Sequence, residues 1–278
     1  MFFSMFVRSF FIQAGWNYER FQNLGFAFSL MPALKKIYPD PERLKAAVLR
    51  HLAIFNTQPY MASFVLGNLA RIEERASASQ DPEAELKSMP GVKQALASSF
   101  ASIGDRIFWG RLKPMTTQLC LLVWSAGGFY GWLFTSQPVL PPLGLLLAGP
   151  LTGILVYSMV AVRWRWRGLV KGYACGGAES CGLDFMDWPG LIRRLSACGF
   201  GMSMALGLLA FGLLVSANYS AGRAGVTFLK VGIAAAVLVL HRLTRAMGRS
   251  VFFAAGLVLA ISVFLFSVLK MQPFNLYL

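Results

Sequence analysis

No aspartate or glutamate follows Asp187 in this 278-residue chain, and from Pro114 to Val162 no side chain is charged at all. As one helix that run would be roughly 70 Å long, against a bilayer core of about 30 Å. It is therefore expected to cross a membrane twice, turning near Thr135 to Pro142, where Ser, Gln and three prolines break the apolar pattern. Uncharged stretches at Leu195 to Gly222, Val231 to Leu240 and Ser250 to Leu269 read as three more spans. A soluble helical protein is excluded by composition, with 56% of residues hydrophobic and only 14% charged. Cysteine is scarce as well. Cys120 and Cys198 fall in or near spans, and Cys175 and Cys181 lie in a loop facing the reducing cytosol, so no disulfide framework is expected. Neither His51 nor His241 is close enough in sequence to complete a zinc set. The chain also lacks a phosphate-cradling glycine loop, a Walker lysine and a nucleophile elbow. No catalytic residue, metal site or cofactor is assigned, and the chain reads as non-catalytic by itself. The opening MFFSMFVRSFF has no basic stretch ahead of its apolar part, which suits an interfacial helix better than a signal peptide.

What is abundant is positive charge, a net +14. Its placement speaks for a membrane and against nucleic acid. Arg163, Arg165, Arg167 and Lys171 follow the second span, Arg193 and Arg194 precede the third, and Arg242, Arg245 and Arg249 separate the fourth and fifth. Positive residues mark cytoplasmic loops. Residues 163–194 are thus expected to form a basic inner loop, with the N-terminus cytoplasmic, the Thr135 and Ala217 to Gly225 turns outside, and the C-terminal Leu278 outside. Lys230 is placed to snorkel outward. Gly149 and Gly153, and Gly199, Gly201, Gly207 and Gly212, suit close helix packing, with an oligomer or partner contact left open.

Residues 1–113 hold most of the acidic side chains and 14 Lys and Arg, yet Phe21 to Leu34 and Leu52 to Ala70 are uncharged and carry Pro32 and Pro59. Such short or interrupted runs suit re-entrant or membrane-dipping helices. A helical bundle with Pro59 at a turn fits the pattern equally well. The expected fold is an all-α integral membrane protein: an N-terminal helical region, residues 1–113, cytoplasm-facing and partly membrane-embedded, then about five transmembrane helices in residues 114–278.

Three ordered blocks narrow the function. RSFFIQAGWNYERFQNLGFAFSLMPALKKIYPD from Arg8, RHLAIFNTQPYMASFVLGNLARIEE from Arg50 and SFASIGDRIFWGRLKP from Ser99 resemble, in order, the IID membrane subunit of mannose-family sugar phosphotransferase systems, and RWRWRGLVKGYACG from Arg163 is similar to a later arginine-rich stretch of that family. The resemblance implies a subunit of the bacterial inner membrane that pairs with a IIC subunit to form the sugar pathway, assembled as a trimer of such pairs. It also implies soluble IIA and IIB phosphocarriers, with IIB phosphorylating the arriving hexose. His51 matches the family's histidine without being a phosphorylation site; its role is helix packing, a hydrogen bond or substrate contact.

Hexose hydroxyls both donate and accept, so amides, carboxylates and aromatic faces recognise them. Asn17, Glu19, Gln22 and Asn23 supply that chemistry beside Trp16 and Tyr18; if the segment is helical, Glu19, Gln22 and Asn23 share a face. The alternative is that Glu19 pairs with Arg20 or another cation and the amides cap or bridge helices. Asp105, with Trp109 nearby, is expected to cap a helix, to pair with Arg106 or Arg111, or to contact substrate or partner. Asn56, Thr57 and Gln58 either line a cavity at Pro59 or satisfy loose backbone groups. Three features depart from the family pattern: Gln58 replaces a usual histidine, Arg106 follows the Gly-Asp pair, and SSFASIGD stands for GPLAGIGD. They leave two readings: a hexose permease subunit, or a regulatory or sensing partner that does not transport. A channel or membrane-anchored nucleic-acid binder is a third, unrelated class.

Overall fold

A computed structural model describes residues 1–134, 143–176, 183–220, 224–248 and 250–267. The expected turn at 135–142, the centre of the next outer turn at 221–223, Cys181 and the C-terminal Leu278 lie outside the described residues, as does the side chain of Lys230. The helices are α1 (Phe2–Ser9), α2 (Asn23–Ile37), α3 (Pro41–His51), α4 (Ala62–Ala78), α5 (Pro82–Lys87), α6 (Met89–Gly104), a π-helical turn at Asp105–Leu112, α7 (Lys113–Phe134), α8 (Leu143–Cys175), α9 (Trp188–Ser220), α10 (Ala224–Ala246) and α11 (Val251–Ser267). The all-helical class is as expected. Among the described residues two helices are long and apolar enough to cross a bilayer, Leu146–Cys175 within α8 and Trp188–Leu213 within α9. Contacts divide the chain into two units, Met1–Leu206 and Gly207–Leu278. Within the second, α10 packs on α11.

Helix starts follow local chemistry. Asp40 accepts from Arg43 N at 2.8 Å with Pro41 in the first turn, and Asp81 accepts from Ala84 N at 3.1 Å ahead of Pro82. Asp187 accepts from Gly190 N at 2.9 Å to open α9. A side-chain acceptor satisfies an otherwise orphaned donor, and proline costs nothing where no intrahelical donor is needed.

Helix α4 is the axis of the first unit. Met61 to Ala70 are all buried, and Phe64 stacks on Phe100 and Phe185 with ring centroids at 4.9 and 5.1 Å. The uncharged run Leu52 to Ala70 is thus accounted for largely by protein packing. Pro59 sits in the turn before α4, as the bundle alternative has it.

The expected basic loop 163–194 differs most from the structure. Arg163, Arg165, Arg167 and Lys171 lie on α8, which continues to Cys175, and Arg193 and Arg194 lie on α9. The helix persists because α8 crosses α4 in parallel over glycines. A Cβ at Gly67 would stand 2.3 Å from Leu169 O, and one at Gly172 would stand 2.2 Å from Phe64 O. The loss of charge-free character at Arg163 does not mark a change of conformation.

Antiparallel α7 and α8 form a hairpin with the same device. Cβ atoms on Gly149 and Gly153 would meet Cys120 O at 2.7 Å and Thr116 O at 2.9 Å, as the GxxxG spacing implied. Cβ atoms at Gly201, Gly207 and Gly212 would instead meet nothing within 4 Å among the described residues. Two internal prolines are compensated alike. Pro32 leaves Phe28 O without its helical donor, and Arg8 Nη1 donates to it at 3.3 Å; Pro150 does the same to Leu146 O, which receives Trp124 Nε1 at 2.6 Å. Replacing Trp124 by Phe should cost roughly 1 kcal/mol, the scale of interhelical bonds in membranes, read as a lower midpoint of thermal unfolding in detergent. An unchanged midpoint would show that water supplies the missing donor.

Candidate functional site

The three family-like blocks meet at one junction. Residues 17–22 are not helical: Asn17 and Phe21 exchange backbone hydrogen bonds at 2.9 and 3.1 Å, and Phe21 takes a left-handed φ of 55°. This closed loop lies along Phe55, with Gln22 N donating to Phe55 O at 2.8 Å. Gln22, buried, donates through Nε2 to Thr57 O at 2.9 Å and accepts from Thr57 N at 3.1 Å. Asn17 Nδ2 donates to Asn23 Oδ1 at 3.0 Å, and Asn23 Nδ2 to Leu52 O at 2.8 Å. Thr57 Oγ1 reaches Ala97 O at 2.8 Å, and Gly104 backs onto Gln58 so tightly that a Cβ would meet its side chain at 2.6 Å.

These contacts sort the sequence-derived residues. Glu19, Gln22 and Asn23 do not share a helix face, because the chain turns at Phe21 and only Asn23 belongs to α2. Asn17, Gln22 and Asn23 are engaged in fixing the loop. Glu19, Asn56 and Asp105 are exposed, and none of their side chains has a hydrogen bond or ion pair among the described residues. The expected pairing of Asp105 with Arg106 or Arg111 is not found: Arg111 donates to Ser196 Oγ at 2.7 Å and to Arg106 O at 2.8 Å. Asp105 opens the π-helical turn, a conformation that recurs at functional sites. Trp16 and Tyr18 are exposed with ring centroids 4.9 Å apart. Gln58 settles at the α4 start, where Oε1 accepts from Tyr60 N at 2.7 Å and Met61 N at 3.2 Å. Gln58→Ala should cost about 1 kcal/mol, as loss of a helix cap does, measured by denaturation in detergent; no change would mean that water or a backbone acceptor replaces the amide.

Behind the junction lies a buried ionic cluster that the sequence did not disclose. Glu73, wholly buried, accepts from Tyr38 Oη at 2.7 Å, Arg50 Nη2 at 2.9 Å and His51 Nε2 at 2.8 Å. Burial raises a carboxyl's pKa, yet these donors outweigh it and hold Glu73 below the usual range. His51 is depressed by burial, only partly offset by Glu73. It is therefore a neutral imidazole with the proton on Nε2, the nitrogen that faces the Glu73 carboxylate, whereas the buried Nδ1 has no acceptor to receive a proton's hydrogen bond. Tyr38 is pushed up by burial and by Glu73, so it donates as a neutral phenol. Lys93, brought down to about 8 by burial, donates to His51 O at 3.1 Å and lies over the Phe26 ring. Glu74, next along α4, turns away to Arg71 and to Tyr173 of α8.

On the far side of Tyr60, a groove of about 490 Å³ runs between α7 and α8, lined by Trp109 and Lys113 at its mouth and by Tyr157, Cys120, Pro150 and Ile154 among its walls. Trp109 was expected at a site from its position. Lys113 and Tyr157 were not, since their meeting depends on how the hairpin pairs.

Comparisons with known proteins bear directly on this arrangement. The family described as "PTS system mannose/fructose/sorbose family IID component" matches residues 1–140, which hold all three blocks. The mannose-specific EIID component of Escherichia coli K12 is 33% identical over 216 residues, covering 76% of this chain and 65% of that protein. The fructose permease IID component of Bacillus subtilis is 30% identical over 215 residues, covering 77% and 68%. The chain belongs to the mannose-family IID components. A solved structure described only as a membrane protein aligns with a TM-score of 0.55 and 31% identity over 74% of this chain and 68% of that one. This IID chain spans about two thirds of the length of the Escherichia coli relative, 65% in the aligned region. Its departures, Gln58 and Arg106, fall where the family model matches: Gln58 accepts from Tyr60 N and Met61 N at the α4 start, and Arg106 is exposed with its backbone O accepting from Arg111.

Proposed function

We propose that this IID chain is the membrane subunit of a mannose-family phosphotransferase permease. With a IIC subunit it forms the pathway for a hexose of the mannose, fructose or amino-sugar class, and it delivers that sugar to phosphorylated IIB. The observation that carries the reading is the hydrogen-bonded junction of the three blocks, whose outward polar side chains Glu19, Asn56 and Asp105 have no protein partner among the described residues. Carboxylates and amides held on a fixed frame match sugar hydroxyls. Gln22, Asn23 and Asn17 position the frame, Trp16 and Trp109 offer aromatic faces, and His51 supports from behind. Burial of His51 also supports placing phosphoryl transfer on IIB, fed by IIA, since a sealed imidazole is out of reach of a phosphodonor. Phosphorylation would trap the sugar inside.

The reading includes a bacterial inner-membrane location, about five spans with the N-terminus inside and the C-terminus outside, and assembly as a trimer of IIC–IID pairs. No observation favours a partner that senses without transporting, so that alternative is not carried further. Uptake and phosphorylation of labelled hexoses in cells lacking this gene test the proposal: loss for at least one hexose is expected, and no change for any of them would reject it. Glu19→Gln and Asp105→Asn are each expected to lower uptake while IIC still co-purifies. Loss of co-purification would assign them to the subunit interface instead.

A further inference from the structure

We propose that the groove between α7 and α8 is a binding site for one anionic glycerophospholipid, its phosphate at Lys113 and an acyl chain running inward past Ile154. The groove begins where the uncharged run begins. Lys113 is exposed at the first residue of α7, with Nζ 5.0 Å from the Trp109 ring, a Trp and Lys pair of the kind that sits at headgroup depth. From there to Cys120 and Pro150 the walls are mostly apolar and open to the side, and Ile154 is 62% exposed along them. About two turns of helix, roughly 10 Å, separate Lys113 from Cys120, enough for the upper part of an acyl chain. The inner end is closed by the Gly149 contact with Cys120 O and by the Trp124 bond to Leu146 O.

Charge selects the headgroup. Among the described residues no carboxylate pairs with Lys113, and none pairs with Arg165, which is buried to 5% exposure. Arg165 donates to Ser9 O at 2.6 Å and stacks on Tyr60, a groove wall, at 5.0 Å, while its Nε has no hydrogen-bond partner. A buried guanidinium with no counter-ion places uncompensated positive potential behind the groove. The buried Tyr157 hydroxyl, with Tyr60 as polar neighbour, has no hydrogen bond of good geometry. A hexose is a poor fit: the groove offers it no amide or carboxylate, and the Thr116 and Thr117 hydroxyls are returned to Leu112 O and Lys113 O of their own helix. A free phosphate would leave the apolar length unused.

Native mass spectrometry of the full chain, extracted from membranes in mild detergent and titrated with phosphatidylglycerol or phosphatidylcholine, tests the site. One retained phosphatidylglycerol is expected, bound at least tenfold more tightly than phosphatidylcholine, undisplaced by inorganic phosphate, and weakened at least tenfold by Lys113→Glu. Equal retention of the two lipids, displacement by phosphate, or a Lys113→Glu chain that binds as before would overturn it. Ile154→Trp should fill the groove and expel the lipid. Because substitutions can disturb folding, a photo-crosslinking residue at position 154 gives an independent reading in intact membranes: a phospholipid adduct supports the site, and an adduct to another protein would make the groove a subunit interface and end the proposal.

Discussion

Replacing Glu73 by Ala is expected to remove roughly 3–5 kcal/mol of stability, the usual consequence of deleting one partner of a buried charge pair. The Glu73→Ala chain should accordingly fail to accumulate in membranes. Three donors, Tyr38 Oη, Arg50 Nη2 and His51 Nε2, converge on this carboxylate at 2.7 to 2.9 Å. Without it the half-buried Arg50 guanidinium and the buried Tyr38 and His51 lose their shared acceptor beside Lys93. Glu73→Gln keeps the volume and one acceptor, so a smaller loss should follow. Pulse-labelled yield and fluorescence-detected unfolding in detergent measure both; a Glu73→Ala chain as stable as the parent would show that the cluster is solvated and replaceable.

The same cluster sets an acid limit. His51 has a folded pKa depressed below its ordinary 6.5, so the unfolded chain binds a proton that the folded chain refuses. Its contribution is therefore fully present above about pH 6.5 and is lost as pH falls toward the folded value. Glu73 is likewise depressed below 4.5, which adds a second loss further into acid. Unfolding midpoints should be level between about pH 6.5 and pH 8, fall below about pH 6.5 and fall faster below about pH 4.5; above about pH 8 they should rise as the buried Lys93 sheds its proton. His51→Gln should flatten the first limb. A midpoint that stays level down to pH 5 would contradict a neutral, buried imidazole.

The second large effect is expected at the helix crossing. Val at Gly172 places a Cβ 2.2 Å from Phe64 O, a backbone atom that cannot rotate away. Overpacking of this kind costs about 1–3 kcal/mol or more, set against only about 1 kcal/mol gained in helix propensity by removing a glycine. Separating α4 from α8 would also open the Phe64, Phe100 and Phe185 stack. The readout is the detergent unfolding midpoint, with Gly201→Val as the control, since a Cβ there meets nothing within 4 Å among the described residues. Equal behaviour of the two variants would mean that the crossing relaxes freely.

Much of the architecture was legible because lipid is a simple solvent. Uncharged runs of bilayer length need helices that satisfy their own backbone, so α7, α8, α9 and α11 followed from the absence of charge. The same logic misread residues 163–194, because by charge alone arginines on a continuing helix look like arginines in a loop. Apolarity was also ambiguous at Leu52 to Ala70, where a helix buried in protein and one dipping into lipid carry the same pattern.

At the site, sequence could nominate residue types but not directions. Asn17, Gln22 and Asn23 look as suited to a sugar as Glu19, Asn56 and Asp105 do. One left-handed turn at Phe21 sends the first three into the junction and leaves Glu19 outside. Glu73 and Glu74 are adjacent, so about 100° of helical rotation separates a buried hub from a surface bridge.

By itself, then, the amino-acid order determined the solvent, the helical class, the family and the pool of polar side chains, because those depend on composition and local spacing. The tertiary structure decided which carboxylates are sealed, which remain free, and how Lys113 and Tyr157 come to share one groove. Those outcomes rest on contacts between residues far apart in the chain, where a glycine-sized gap sets how closely two helices approach.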